Sequence, residues 1–243
     1  MPSLLPTRAE LKLIEKLVNK AVNGSKNLTQ LLNNLFSDFS ADAELTPYIH
    51  SMKVRVKDAE HLRDKLLRKL SESKVKGELF HINEENLFGE INDLAGLRLL
   101  HLHTRQFEHI SRCLNRIFDE HFYKVVEKPT ARVWDIESRD YFESIGIECV
   151  DSDSMYTSVH YVIAPNRQTL YTCEIQVRTL AEELWGEVDH SMNYPNKTES
   201  LACREQIKVL ARVTSSCSRL VDSIFRSHED HLANAGERRS KKG

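Results

Sequence analysis

The segment Cys173-Glu174-Ile175-Gln176-Val177-Arg178-Thr179 alternates apolar and polar residues with period two. A strand here sends Cys173, Ile175 and Val177 to one face and Glu174, Gln176 and Arg178 to the other. A carboxylate and a guanidinium on one face suit a site that holds metal and phosphate together. In Asp93-Leu94-Ala95-Gly96-Leu97-Arg98 an acid opens an apolar strand, and Gly96 allows close backbone approach. In Tyr156-Thr157-Ser158-Val159-His160 the aromatic Tyr156 shares a strand face with His160; a tyrosine stacked on a purine is worth about 1–3 kcal/mol in comparable base stacks. In Met52-Lys53-Val54-Arg55-Val56-Lys57, alternation puts Lys53, Arg55 and Lys57 on one face. Asp58 can cap the helix that follows, whose free N–H groups favour anions, and Lys65 lies about two turns in. That strand face and helix start form a phosphate cradle.

Taken singly, each feature has a plainer reading. The basic strand could be a solvated sheet edge, Asp93 a turn cap, Glu174 an exposed acid paired with Arg178, and Tyr156 a sheet-face ring. Together they supply what phosphate-group transfer needs: a cradle, acids for a divalent cation, and a base near an acceptor hydroxyl. After Thr179 a helical pattern carries Glu183, Trp185, Glu187, Asp189, His190 and Tyr194. Its spacing predicts Leu180, Leu184, Val188 and Met192 inward, with Glu183 and Glu187 on another face. His101 and His103 share a strand face without further ligand spacing and are read as structural.

In order and spacing these segments resemble the synthetase domain of the RelA/SpoT family, which makes guanosine tetra- and pentaphosphate alarmones, over roughly residues 50–195. The resemblance implies that Arg55, Lys57 and Lys65 bind ATP. It implies that Asp93 and Glu174 hold Mg²⁺, with Glu174 also activating the acceptor 3′-hydroxyl, and that Tyr156, His160, Gln176 and Arg178 position GDP or GTP. Glu183 falls where some small synthetases reach the guanine edge, and a carboxylate there could accept from guanine N1–H and N2–H. The implied activity is transfer of the β,γ-pyrophosphate of ATP. A Pro-Lys and an Asn-Gly commonly precede the family's Tyr, whereas this chain has Asp151-Ser152-Asp153-Ser154-Met155. That difference keeps open a toxin-like relative that modifies an adenosine nucleotide or a tRNA 3′ end, with Lys124, Lys128, Arg132 and the C-terminal tail as a basic track. A catalytically silent nucleotide-binding module is the third reading. A homo-oligomer or an antitoxin partner is compatible with the family. Rossmann and Walker phosphate motifs are absent, as is the HD-type hydrolase region of long family members. The chain is expected to make its product and not to degrade it.

Composition frames these sites. The 243 residues carry 34 Lys and Arg against 36 Asp and Glu, a formal charge of −2. Polyphosphate binding must therefore come from a local cluster rather than a global field. Five cysteines without a CxxC spacing indicate neither a disulfide framework nor a cysteine zinc site, and a reducing cytoplasm is expected. No stretch is long and apolar enough to span a bilayer. The expected fold is mixed α/β, a nucleotidyltransferase-like mixed sheet flanked by helices. Its expected parts are an N-terminal helical extension (1–48), the synthetase-like domain (49–195), and a C-terminal helix with a basic tail (196–243). Thr7 and Glu10 predict a capping box for a first helix that Asn23-Gly24 ends, followed by a short second helix over Leu28–Phe36. Strands are expected at about 94–102, 123–128, 156–163 and 170–178, and helices at about 105–119, 180–193 and 200–228. The last helix carries Ile207, Leu210, Val213, Cys217, Leu220 and Ile224, and disorder is expected from Gly236.

Overall fold

The computed structural model describes residues 5–166, 171–194 and 197–240. In chain order its elements are α1 (Arg8–Ala41), β1 (Ser51–Val56), α2 (Ala59–Lys76), α3 (Leu87–Glu90), β2 (Ala95–His101), α4 (Gln106–Glu120), β3 (Lys124–Val133), α5 (Ile136–Ser144), β4 (Glu148–Asp151), β5 (Ser158–Ala164), β6 (Cys173–Thr179), α6 (Leu180–Asn193) and α7 (Leu201–Ser240). The six strands form one mixed sheet in the order β1-β2-β6-β5-β3-β4. The β2–β6 and β3–β4 pairs are parallel and the other neighbours antiparallel.

Period-two alternation sorts the sheet into two unlike faces. Leu97, Leu99, Val159, Tyr161, Ile163, Cys173, Ile175 and Val177 are all buried on one face, in a core shared with α1, α2 and α4. Gly96, Arg98, Glu174, Gln176 and His160 lie on the other. A second, smaller cluster around Trp185, Ile207 and Ala211 joins α6 to α7. No helix among the described residues is long and apolar enough to cross a membrane.

Several local expectations change. The first helix is a single 34-residue element, capped at Thr7 by the expected box, and it runs straight through Asn23-Gly24. Gly24 is buried there against Phe88: a Cβ would lie 2.7 Å from Phe88 Cζ. The glycine serves helix packing, and its propensity cost of about 1 kcal/mol is outweighed by the core that α1 joins. Residues 129–154, without a clear period in the sequence, hold the end of β3, then α5 and β4. Strand β3 carries register irregularities that break its alternation. Helix α7 continues to Ser240, past Gly236, because no proline interrupts it; Lys241 and Lys242 lie outside the described residues. Strand β6 begins at Cys173, and residue 170 of the expected strand is also outside them.

The orientation of α6 departs in part from the apolar spacing: Leu180 is half-buried and Val188 packs beside Trp185, but the other two members of the stripe turn out. Leu184 and Met192 are exposed, while Glu183 and Trp185 are buried. Four apolar residues at helical spacing predict an inward stripe, but the sheet face that α6 covers is polar and takes the carboxylate instead. Thr179 and Glu182 form a capping box at the start of α6, where Glu182 Oε2 accepts from both Thr179 N and Oγ1 at 2.9 Å. Burial pushes the Glu182 carboxyl up to about 7 from an ordinary 4.5. Between these two values the unfolded chain releases a proton that the folded chain keeps, so stability is expected to fall as pH rises through that window. Glu182→Gln is expected to flatten this slope in denaturant titrations run from pH 4.5 to 7; an unchanged slope would remove Glu182 as its source.

Candidate active site

Strand register assembles the site. One cross-sheet row runs Arg55, Gly96, Glu174 and Val162; the next runs Lys53, Arg98, Gln176, His160 and Thr130. Residues far apart in the chain thus become lateral neighbours on the polar face. A cleft of about 600 Å³ opens over these rows, walled by α6. Its lining includes Arg55, Asp93, Tyr156, Glu174, Gln176 and Arg178. Gly96 is part of the floor: a Cβ there would meet only Arg55 O, at 3.8 Å. Close backbone approach is therefore not what Gly96 serves. It leaves open space between Arg55 and Glu174.

At one end, Asp93 is held by two lysines. Lys57 Nζ donates to Asp93 Oδ2 at 2.5 Å, and Lys65 Nζ lies 2.7 Å from Oδ1. Burial would raise the Asp93 carboxyl, but Lys65 and Lys57 outweigh it and hold the group below the usual carboxylate range. Burial also lowers Lys57 from the ordinary lysine value, against the opposing charge of Asp93. Asp58 caps α2 as expected, accepting from His61 N at 2.9 Å.

In the middle, Glu174 accepts from Gln176 Nε2 at 2.8 Å and lies 3.0 Å from His160 Nδ1. Burial would raise the Glu174 carboxyl; its bonds to His160 and Gln176 outweigh burial and hold it low. His160 Nε2 is buried and has no hydrogen-bond partner among the described residues. A group aimed at that nitrogen would satisfy it.

At the far end, Glu183 gathers three cations. Lys53 Nζ donates to Oε1 at 2.7 Å, Arg98 Nη1 to the same oxygen at 3.3 Å, and Arg178 Nη2 meets Oε2. Glu183 is thus no surface helix acid. Burial would raise its carboxyl, but Lys53, Arg178 and Arg98 hold it low. Arg178 is buried beneath α6, where Gly186 makes room: a Cβ on Gly186 would lie 2.8 Å from Arg178 Nη1. The Arg178 guanidinium carbon sits 5.4 Å from the Tyr156 ring centre, a cation–π contact. Tyr156 precedes β5 rather than opening it, and its ring packs near His160 and Trp185.

Six of the ten residues singled out in the sequence line the cleft; Lys57 and Lys65 stand behind Asp93, His160 behind Glu174, and Glu183 behind Lys53, Arg98 and Arg178. Arg98 itself was not among the ten. It links Gln176 (3.3 Å), Glu183 and Glu187 (2.8 Å), and its signal was its place on the same strand face as Gly96. Tyr194 stacks on His61 and His190 at the rim, with ring centres 4.9 and 4.7 Å apart; the spacing of His190 and Tyr194 on one helix face was the available clue. His101 and His103 lie outside the cleft. His101 is buried, which pushes its imidazole down to about 4, and His103 Nδ1 lies 2.6 Å from Asp222 Oδ1 on α7. Among the described residues no three His, Cys, Asp or Glu side chains gather as a metal cluster.

Comparison with known proteins gives a family and a shared fold. Residues 54–199 match the family described as the region found in RelA / SpoT proteins. Over 160 residues the chain is 28% identical to the GTP pyrophosphokinase YjbM of Bacillus subtilis, a match covering 63% of this chain and 65% of that relative's length. Among solved structures, small alarmone synthetase 2 of B. subtilis is 21% identical with a TM-score of 0.58, covering 84% of this chain and 97% of that one. A GTP pyrophosphokinase family protein from Streptococcus pneumoniae is 18% identical with a TM-score of 0.57, covering 90% and 96%. Small alarmone synthetase 1 of B. subtilis, solved with AMPCPP, is 18% identical with a TM-score of 0.54, covering 89% and 98%. At these identities the solved structures establish the shared fold.

Proposed function

We propose, on the premise that this chain belongs to the RelA/SpoT family, that it transfers the β,γ-pyrophosphate of ATP to the 3′-hydroxyl of GDP or GTP. The observation that carries this reading is the meeting of Asp93 and Glu174 on one cleft, both held ionised, with Lys57 and Lys65 on Asp93 and Arg55 in the row of Glu174. AMPCPP and pppGpp, bound by the B. subtilis synthetase 1 structures, are the kinds of nucleotide this reading requires. Two ionised carboxylates suit magnesium, which needs few protein ligands beside phosphate and water. Asp93 and Glu174 would hold the ion, and when bound it would neutralise phosphate charge.

In this reading Arg55, Lys57 and Lys65 bind the triphosphate, and the pairing of Lys57 and Lys65 with Asp93 keeps the carboxyl ionised before substrate arrives. Glu174 accepts a hydrogen bond from the 3′-hydroxyl. A carboxylate held low is a weak base, so the proton leaves late, as the hydroxyl oxygen bonds to the β-phosphorus, the bond from the β-phosphorus to the bridging oxygen breaks and AMP departs with that oxygen. Tyr156, His160, Gln176, Arg178 and Glu183 position the acceptor, with His160 Nε2 free to bond it. Incubating the protein with γ-labelled ATP and separately with GDP, GTP, AMP or tRNA tests the assignment. Labelled guanosine tetra- or pentaphosphate is expected; label on tRNA or AMP alone would sink it.

A different acceptor is favoured by one feature. The residues before Tyr156 bring Asp151 and Asp153 and no lysine, and Ser154 lines the cleft. The same assay decides between the acceptors.

Gly96→Val isolates the cleft from the fold. A valine suits a strand, and the space above Gly96 is open, so the melting temperature is expected to move by no more than a few degrees. Nucleotide affinity is expected to fall at least about tenfold, because the side chain fills the floor between Arg55 and Glu174. Calorimetric titration with ATP checks it; unchanged affinity would place the nucleotide elsewhere.

A further inference from the structure

Among the described residues only Phe122 and Met155, besides glycines, take a positive φ, each at +59°. A side chain there crowds its own carbonyl, so such backbone costs free energy and persists only where something holds it. Phe122 follows the end of α4, where a left-handed residue is common, and its ring is 83% exposed. Met155 ends no helix. It closes the turn between β4 and β5, where Ser152 N donates to Val133 O at 2.8 Å, Met155 N to Ser152 O at 3.2 Å and Tyr156 N to Ser152 Oγ at 3.1 Å. These bonds tie the chain on both sides of Met155, yet all are made by backbone or by Ser152. None of them asks for a methionine.

The side chain sets this position apart. Its neighbours Ser154 and Tyr156 line the cleft, whereas Met155 is half-buried on the other side, packed against the cluster of Trp185, Ile207 and Ala211. About 10 Å³ stays open among Trp134, Met155, Trp185 and Ala211, room for no more than a single water. An unbranched thioether suits so irregular a gap. Trp185 is fixed in turn, its Nε1 donating to Ile207 O of α7 at 3.1 Å, and the Tyr156 ring lies 6.3 Å from the Trp185 ring. We propose that Met155 is a positioning residue: its side chain, anchored in the cluster between α6 and α7, holds the left-handed turn and so fixes the Tyr156 ring at the cleft. The consequence for the reaction rests on the proposed function, in which Tyr156 positions the acceptor. A ring fixed in advance need not be ordered when the acceptor binds, so the anchor raises affinity for the acceptor and leaves the donor end around Asp93 and Arg55 unaffected.

Met155→Gly separates side chain from backbone, because glycine takes a positive φ without strain and leaves the turn available. Met155→Leu keeps the volume and the apolar contact. Fluorotyrosine NMR reads the ring directly, with the Tyr156 signal identified by its loss in Tyr156→Phe. In the glycine variant that signal is expected to move toward the position of an exposed tyrosine, and in the leucine variant to stay near wild type. In the labelled-ATP assay the glycine variant is expected to raise KM for the acceptor about tenfold, with kcat within about threefold of wild type. Its ATP affinity, measured by calorimetry, is expected to be unchanged, and leucine is expected to restore the acceptor KM. A Tyr156 signal that Met155→Gly leaves in place would overturn the proposal, as would a leucine variant that behaves like the glycine one, or equal losses of acceptor and ATP affinity. A moved signal with an unchanged acceptor KM would keep Met155 as the anchor of the ring and overturn the assignment of Tyr156 to the acceptor. If the wild type transfers to no nucleotide, the proposed function fails and the Tyr156 signal alone decides the role of Met155.

Discussion

Glu174→Gln is expected to lower pyrophosphate transfer by about three orders of magnitude while ATP affinity stays within a few-fold of wild type. Glutamine keeps the size of the side chain and its place beside Gln176, so the strand and the cleft should survive. What is lost is the negative charge held ionised by His160 and Gln176. That charge serves the acceptor hydroxyl and the cation in the transition state more than the donor in the ground state. Initial rates with saturating ATP and GDP, beside calorimetric ATP binding, separate the two effects. Near-native turnover would remove Glu174 from the mechanism, and equal losses of rate and ATP affinity would make it a donor-binding residue instead.

Glu183→Ala is expected to cost about 3–5 kcal/mol of stability, the usual result of removing one partner from a buried ion pair. Arg178 is 3% exposed, lies under α6 beside Gly186, and has no other carboxylate within salt-bridge distance among the described residues. Lys53 is half exposed and adds little, because water screens it once the acid is gone. In a domain of this size the loss corresponds to a melting temperature lower by roughly 6–20 °C. Urea denaturation measures the difference directly. Glu183→Gln retains one acceptor oxygen and should lie between the two. A loss under about 1 kcal/mol for the alanine variant would mean that Arg178 is solvated or re-paired, and that Glu183 is not what fastens α6 to the sheet. If Glu183 also reads guanine, the glutamine variant should lose preference for GDP over ADP in the transfer assay.

The sequence by itself determined the polar face and the core face of the sheet. Alternation in Cys173–Thr179 leaves one way to bury Ile175 and Val177, and that choice projects Glu174 and Gln176 together; in Ala95–His101 it holds only through Leu99, since Leu100 is buried as well, and pairing with β6 is what sets Arg98 beside Gln176. It also determined the helix starts at Thr7 and Asp58, whose caps are local in sequence. Tertiary structure decided matters that depend on what lies opposite. Gly24 reads as a stop until Phe88 fills the space above it. The apolar spacing of α6 points Leu184 and Met192 inward, but three cations on the sheet draw Glu183 there instead. The apolar stripe of α7 from Val213 to Ile224 carries the period of a buried helix face, yet His103, Thr179 and Asp135 offer hydrogen bonds that Asp222, Ser218 and Ser215 meet from the polar side. Periodicity fixes which residues share a face, whereas the partner across the gap fixes whether that face turns inward, and only the folded chain supplies the partner.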